Sequence, residues 1–148
     1  MNAKKILLVD DDASVRATLG RVLEAEEYDV LPAESAQKAL AQFLRRTPDL
    51  VLLDLDMPDG DGWQVFELME QSHPLVPIIV LTGLPNQMRR ATDYGIDALM
   101  EKPLDFPMLL TTIRELLAES EPQRVARLTD KGFTTRLLDA HRKNEVAV

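Results

Sequence analysis

The sequence predicts a three-layer, doubly wound α/β domain built on a five-stranded parallel sheet. Two observations carry this. Five short apolar runs alternate with amphipathic stretches, the pattern of consecutive βα units. Those runs are solidly apolar rather than alternating, as strands covered by helices on both faces must be. At 148 residues the chain holds about one domain's worth of core.

Ile6-Leu7-Leu8-Val9 is the first buried run, and Val15, Leu19, Val22 and Leu23 then recur at helical spacing. Tyr28 to Leu31 reads as the second strand. Ser35 caps a helix that buries Ala36, Ala39, Leu40 and Phe43, and Thr47-Pro48 stops it. Asp49 to Asp54 is the third strand. A loop rich in turn formers, Met57 to Gly62, leads to a helix carrying Trp63, Val65, Phe66 and Met69. Val76 to Leu81 is the most apolar strand. Pro85 is placed to open the next helix, since a first-turn residue needs no amide hydrogen, and Gly95 ends it. Ala98-Leu99-Met100 is a weak fifth strand. Asp105 caps a last helix with Pro107 in its first turn and Leu109, Leu110, Ile113, Leu116 and Leu117 facing inward. The main domain is thus expected to span residues 1–118. Residues 119–148 form a C-terminal extension of short amphipathic helices or linker, with Phe133, Leu137 and Leu138 available for core packing or docking.

Composition excludes several kinds of chemistry. Seventeen basic against twenty-five acidic side chains give a net charge of −8, which disfavours nucleic-acid binding by this chain. There are no cysteines and only two histidines, so disulfides, thiolate nucleophiles and a histidine-based zinc site drop out. The N-terminal apolar run is too short for a signal or a membrane span, and the expected setting is cytoplasmic, away from the membrane.

In an open parallel sheet a ligand site lies beyond the carboxyl ends of the strands. Here those ends deliver Asp10-Asp11-Asp12, Asp54, Thr82 and Glu101-Lys102-Pro103. An arbitrary acidic triplet is most often a solvated, helix-capping loop. A second strand ending in Asp beside it changes the balance, because like charges so close need a cation to offset them. Carboxylates without histidine suit Mg²⁺ rather than Zn²⁺, and Mg²⁺ leaves a position for a phosphate oxygen.

With these strand ends in place, the sequence over about residues 4–118 resembles the CheY-like receiver domain of two-component response regulators. The resemblance rests on Lys5 to Asp12, Asp49 to Pro58 with Asp61-Gly62 beyond, Pro77 to Gly83, and Lys102-Pro103, in order and at family spacing. It implies a flavodoxin-like strand order of 2-1-3-4-5. It also implies that Asp54 is a phosphoacceptor taking a phosphoryl group from a sensor histidine kinase or phosphotransfer protein. Asp11 would be a direct Mg²⁺ ligand and Asp10 a ligand mainly through water. The backbone carbonyl of Asp56 completes the protein ligands, and Mn²⁺ could replace Mg²⁺. Thr82 is the implied switch hydroxyl and Lys102 the phosphoryl-binding lysine, followed by a cis bond to Pro103. The implied output face, which switches on phosphorylation, is formed by the fourth helix, fifth strand and fifth helix and marked by Arg89, Arg90, Tyr94 and Leu99, for a downstream target, an output domain or a homodimer. The domain would be no enzyme beyond its own phosphotransfer and autodephosphorylation.

Two positions depart from the family pattern. Leu99 stands where an aromatic switch residue is frequent, and Asp56 puts a carboxylate two residues past the phosphoacceptor position. A pseudo-receiver acting only as an interaction module is one alternative. A haloacid-dehalogenase-type phosphatase, suggested by Asp54-Leu55-Asp56, is another, though Met57-Pro58 follows where that family has Thr.

Overall fold

A computed structural model describes residues 3–58 and 62–139. Asp61 of the turn-rich loop and residues 140–148 of the extension lie outside the described residues. The elements run β1 (Lys5–Val9), α1 (Ala13–Ala25), β2 (Asp29–Ala33), α2 (Ala36–Arg45), β3 (Leu50–Asp54), α3 (Gly62–Ser72), β4 (Ile78–Thr82), α4 (Met88–Tyr94), β5 (Ala98–Glu101), α5 (Phe106–Ala118), α6 (Glu121–Thr129) and β6 (Arg136–Leu138).

All strand pairs are parallel, in the order β2-β1-β3-β4-β5-β6. The expected three-layer fold and the order of its first five strands are present. The sheet is wider by one strand than five, because the extension supplies β6, pairing Ala98 with Arg136, Leu99 with Leu137 and Met100 with Leu138.

Alternation along each strand divides the core in two. Leu7, Val9, Val51, Leu53, Val80 and Leu99 join the side chains of α2, α3 and α4, including Phe43, Phe66 and Ala91. Ile6, Leu8, Leu50, Leu52, Ile79, Leu81 and Met100 face Leu19 and Leu23 of α1 and Leu109 and Ile113 of α5. Nearly all are fully buried, which is why the runs read as continuous apolar segments.

The cap residues read from sequence hold. Ser35 accepts from the Lys38 amide at 3.1 Å, Asp105 accepts from the Met108 amide at 3.1 Å, and Gly95 closes α4 in the left-handed region at φ 78°. Several boundaries shift by one to three residues, two of them for a visible reason. β2 runs on to Ala33 through Pro32, tolerated because β2 is an edge strand. Helix α4 starts at Met88 rather than at Pro85, since Asn86 takes a left-handed φ of 62° that no helical turn accommodates.

The extension contains one short helix and a strand where helices or linker were expected. Ser120 and Gln123 form a reciprocal capping box at the start of α6. Arg124, buried in α6, bonds both oxygens of Asp97 at the N-terminal end of β5. Arg127 adds a bond to Asp97 at 2.7 Å and a two-point contact with Glu119 at 2.8 and 2.9 Å. The Thr135 hydroxyl then donates to the Ile96 carbonyl at 2.7 Å, aligning β6 beside β5. Leu138 is buried in the α1–α5 half of the core. Among the described residues no helix is long and apolar enough to cross a membrane.

Candidate functional site

The strand-end acids part company as soon as their local bonds are traced. Asp12 is the N-cap of α1, its carboxylate accepting from the Ser14 hydroxyl at 2.7 Å and from the Ser14 and Val15 amides at 2.9 and 3.3 Å. The Ser14 hydroxyl bond, with the two amides, holds its carboxyl below the usual aspartate value. That cap turns the chain so that Asp10 points into the sheet end, fully buried, while Asp11 stays exposed. One oxygen of Asp10 accepts from the Asp12 amide at 2.9 Å, and its backbone carbonyl accepts from Arg16 at 2.7 Å.

Asp54 closes β3 and is almost completely buried. Its Oδ1 accepts from the Asp56 amide at 2.9 Å. Lys102, at the end of β5, reaches across with Nζ 3.3 Å from Asp54 Oδ1 and 3.6 Å from Asp10 Oδ2. The Lys102–Pro103 peptide is cis. Burial, reinforced by the Asp10 charge and opposed by the Asp56 amide and Lys102, pushes the Asp54 carboxyl up to about 6. Partial burial pulls Lys102 down, but Asp54 and Asp10 outweigh it, and the ammonium is held above its usual value.

One ammonium therefore faces two buried carboxylates. Asp10 Oδ2 and Asp54 Oδ2 are buried without a hydrogen-bond partner, and such atoms are costly unless a ligand completes them. Ligand oxygens of Asp10, Asp11 and Asp54 lie within 4.8 Å of one another. A set made only of carboxylate oxygens fits a hard divalent cation such as Mg²⁺.

Thr82 at the end of β4 is fully buried and serves as a hub. Its hydroxyl donates to Asp56 Oδ1 at 3.0 Å and accepts from the Leu84 amide at 2.9 Å. The Gly83 amide donates to Asp56 Oδ2 at 2.6 Å. The side chain of Asp56 thus joins the β3–α3 and β4–α4 loops. Its place two residues after Asp54 was visible in the sequence, but its partners were not, because one is a backbone amide and the other, Thr82, lies 26 residues away on another strand. Beside Lys102 an apolar groove of about 350 Å³ opens between Val15 and Thr18 of α1 and Pro103 and Phe106.

The residues expected on an output face divide. Arg89 and Arg90 are exposed on α4 and Tyr94 is half-buried. Tyr94 stacks on Trp63 at 5.0 Å between ring centroids, and the Arg90 guanidinium lies 5.1 Å from the Trp63 ring. Leu99 lies on no exposed face. It is fully buried and paired with Leu137, because β6 covers the β5 edge.

Comparisons with known proteins agree with this fold. Residues 6–114 match the family model of the response regulator receiver domain. The chain is 35% identical over 145 residues to the transcriptional regulatory protein GlrR of Escherichia coli, covering 93% of this chain and 32% of GlrR. It is 35% identical over 137 residues to the response regulator MprA of Mycobacterium leprae, covering 91% of this chain and 60% of MprA. The chain thus spans 32% and 60% of the length of these two relatives. Among solved structures, a CheY-like receiver domain protein from Methanospirillum hungatei superposes with a TM-score of 0.75 at 31% identity, over 78% of this chain and 94% of that one. The response regulator TrrA from Thermotoga maritima, solved in complex with Mg²⁺-BeF, superposes with a TM-score of 0.71 at 30% identity, over 76% and 98%. Strand order, the acidic strand ends and a family match over most of the chain agree, and the protein belongs to the response regulator receiver domain family.

Proposed function

We propose that the chain is a phosphoacceptor receiver in a two-component pathway, with Asp54 as the nucleophile. One observation carries this reading: two buried carboxylates, each with an oxygen that accepts no hydrogen bond, face a single ammonium at the mouth of a parallel sheet. Mg²⁺, held by Asp10, Asp11, Asp54 and the Asp56 backbone carbonyl, would neutralise these acids and the charge spreading over the phosphoryl oxygens. Mn²⁺ fills the same role.

Asp54 Oδ attacks phosphorus in line as the phosphorus–nitrogen bond of a phosphohistidine breaks, and the imidazole leaves with the electron pair. Lys102 transfers its contact from the Asp54 carboxylate to a phosphoryl oxygen. The Thr82 hydroxyl turns to another, drawing the β4–α4 loop inward and moving α4 with Arg89, Arg90 and Tyr94. The groove beside Lys102 gives a histidine kinase or phosphotransfer protein access. The signal passes through α4 to a downstream protein or output domain, in the cytoplasm. Residues 1–118 are the receiver unit and the extension is its lateral support.

Intact mass after incubation with a small phosphodonor, with and without Mg²⁺, tests the reading. The expected result is a Mg²⁺-dependent gain of one phosphoryl group, lost in Asp54→Asn. No gain under any condition would leave a pseudo-receiver. Multiple turnovers of phosphate without a trapped adduct would indicate a phosphatase.

A further inference from the structure

Resting on the receiver reading, we propose that the Asp56 carboxylate is a built-in occupant of the phosphoryl-recognising donors, so that phosphorylation exchanges one anion for another. The end of β4 offers two donors to this mouth, the Thr82 hydroxyl, already the proposed phosphoryl contact, and the adjacent Gly83 amide. Neither is idle. The hydroxyl donates to Asp56 Oδ1 at 3.0 Å and the amide to Asp56 Oδ2 at 2.6 Å, so one carboxylate engages both donors at once.

Residue choice favours this grip. A Cβ on residue 83 would lie 3.2 Å from Asp56 Oδ2, closer than ordinary contact, and glycine removes the obstacle. The hydroxyl is further fixed because it accepts from the Leu84 amide, which directs its proton towards Asp56. Asp54, the proposed acceptor, receives no bond from Thr82, although both sit at the same mouth. A phosphoryl group on Asp54 must therefore displace the Asp56 carboxylate before it gains either donor. Asp56 is a positioning residue that sets the threshold of the switch and holds the β4–α4 loop ordered beforehand. Its loss frees both donors.

Hydrogen bonds to a charged acceptor are worth enough that removing this competitor should tighten binding of a phosphoryl analogue about tenfold. The probe is beryllofluoride with saturating Mg²⁺, titrated calorimetrically into the full chain. Asp56→Ala should tighten binding about tenfold, and Asp56→Asn, which keeps the volume, by less. Relief of negative charge alone would also favour an anion, so both changes are repeated in Thr82→Ala. There the gain from Asp56→Ala should shrink to about threefold or less, because half of the contest is gone. An independent reading is the Gly83 amide proton without ligand, which should move upfield in Asp56→Ala as its short bond is lost. Equal gains in both backgrounds, no gain, or an unmoved Gly83 signal would overturn the proposal while leaving the receiver reading intact. Failure of the wild type and every variant to bind the analogue would remove the receiver reading and this proposal with it.

Discussion

Opposite ends of the same sheet bury acid against base in two different ways. At the carboxyl end, Asp10 and Asp54 share one lysine at 3.3–3.6 Å, and each keeps an oxygen without a hydrogen bond. At the amino end, Asp97 is just as buried, yet both its oxygens are used. It accepts from the Ile78 amide at 2.8 Å, from Arg124 twice and from Arg127. Two arginines bind there with their flat, many-donor heads, whereas the mouth has a single ammonium. A corner whose acid is fully bonded holds the fold together. A corner whose acids are left short is open to a ligand.

If the amino-end corner is purely structural, breaking it should give the largest effect. Asp97→Ala strands Arg124 in the interior and frees the Ile78 amide, and is expected to cost about 3–5 kcal/mol in denaturant unfolding. Activity per folded molecule should be unchanged. A loss below about 1 kcal/mol would erase the distinction between the two corners.

The opposite sign is expected at the mouth. Asp54→Asn removes a buried charge from beside Asp10 and should stabilise the metal-free protein by about 1 kcal/mol, a rise of about 3–5 °C in midpoint on calorimetry. Destabilisation there would mean that the acids are structural after all.

The smallest effect should come from the rim of the closed corner. Arg127 holds the Glu119 carboxyl below its ordinary value of 4.5 through a side-chain hydrogen bond. A depressed value means that folding favours the charged form, so the contribution is complete above 4.5 and is lost as pH falls through the lowered value. Glu119→Gln should cost about 1 kcal/mol at neutral pH, and melting curves of the two proteins should converge in acid.

The contrast also explains what sequence could reveal. The mouth was legible because its groups cluster at strand ends, and strand ends follow from solid apolar runs such as Ile6 to Val9. Asp97 and Arg124 stand 27 residues apart, on a strand start and a helix face, and nothing local marks them as partners. For the same reason β6 was unreadable: Arg136-Leu137-Leu138 is too short for any periodicity, and its pairing is decided by the Asp97 anchor and by Thr135. Leu99, expected on the output face, is buried beside a strand supplied from outside the matched segment. The start of α4 slipped because Asn86, unlike glycine, gives little warning of a left-handed backbone.

The seam between α3 and α4 carries a practical consequence. Trp63 is the sole tryptophan of the sequence, and its ring is sandwiched with Tyr94 and topped by the Arg90 cation. Indole emission responds to the polarity and charge around the ring, so the unlabelled protein contains its own optical gauge of where α4 stands.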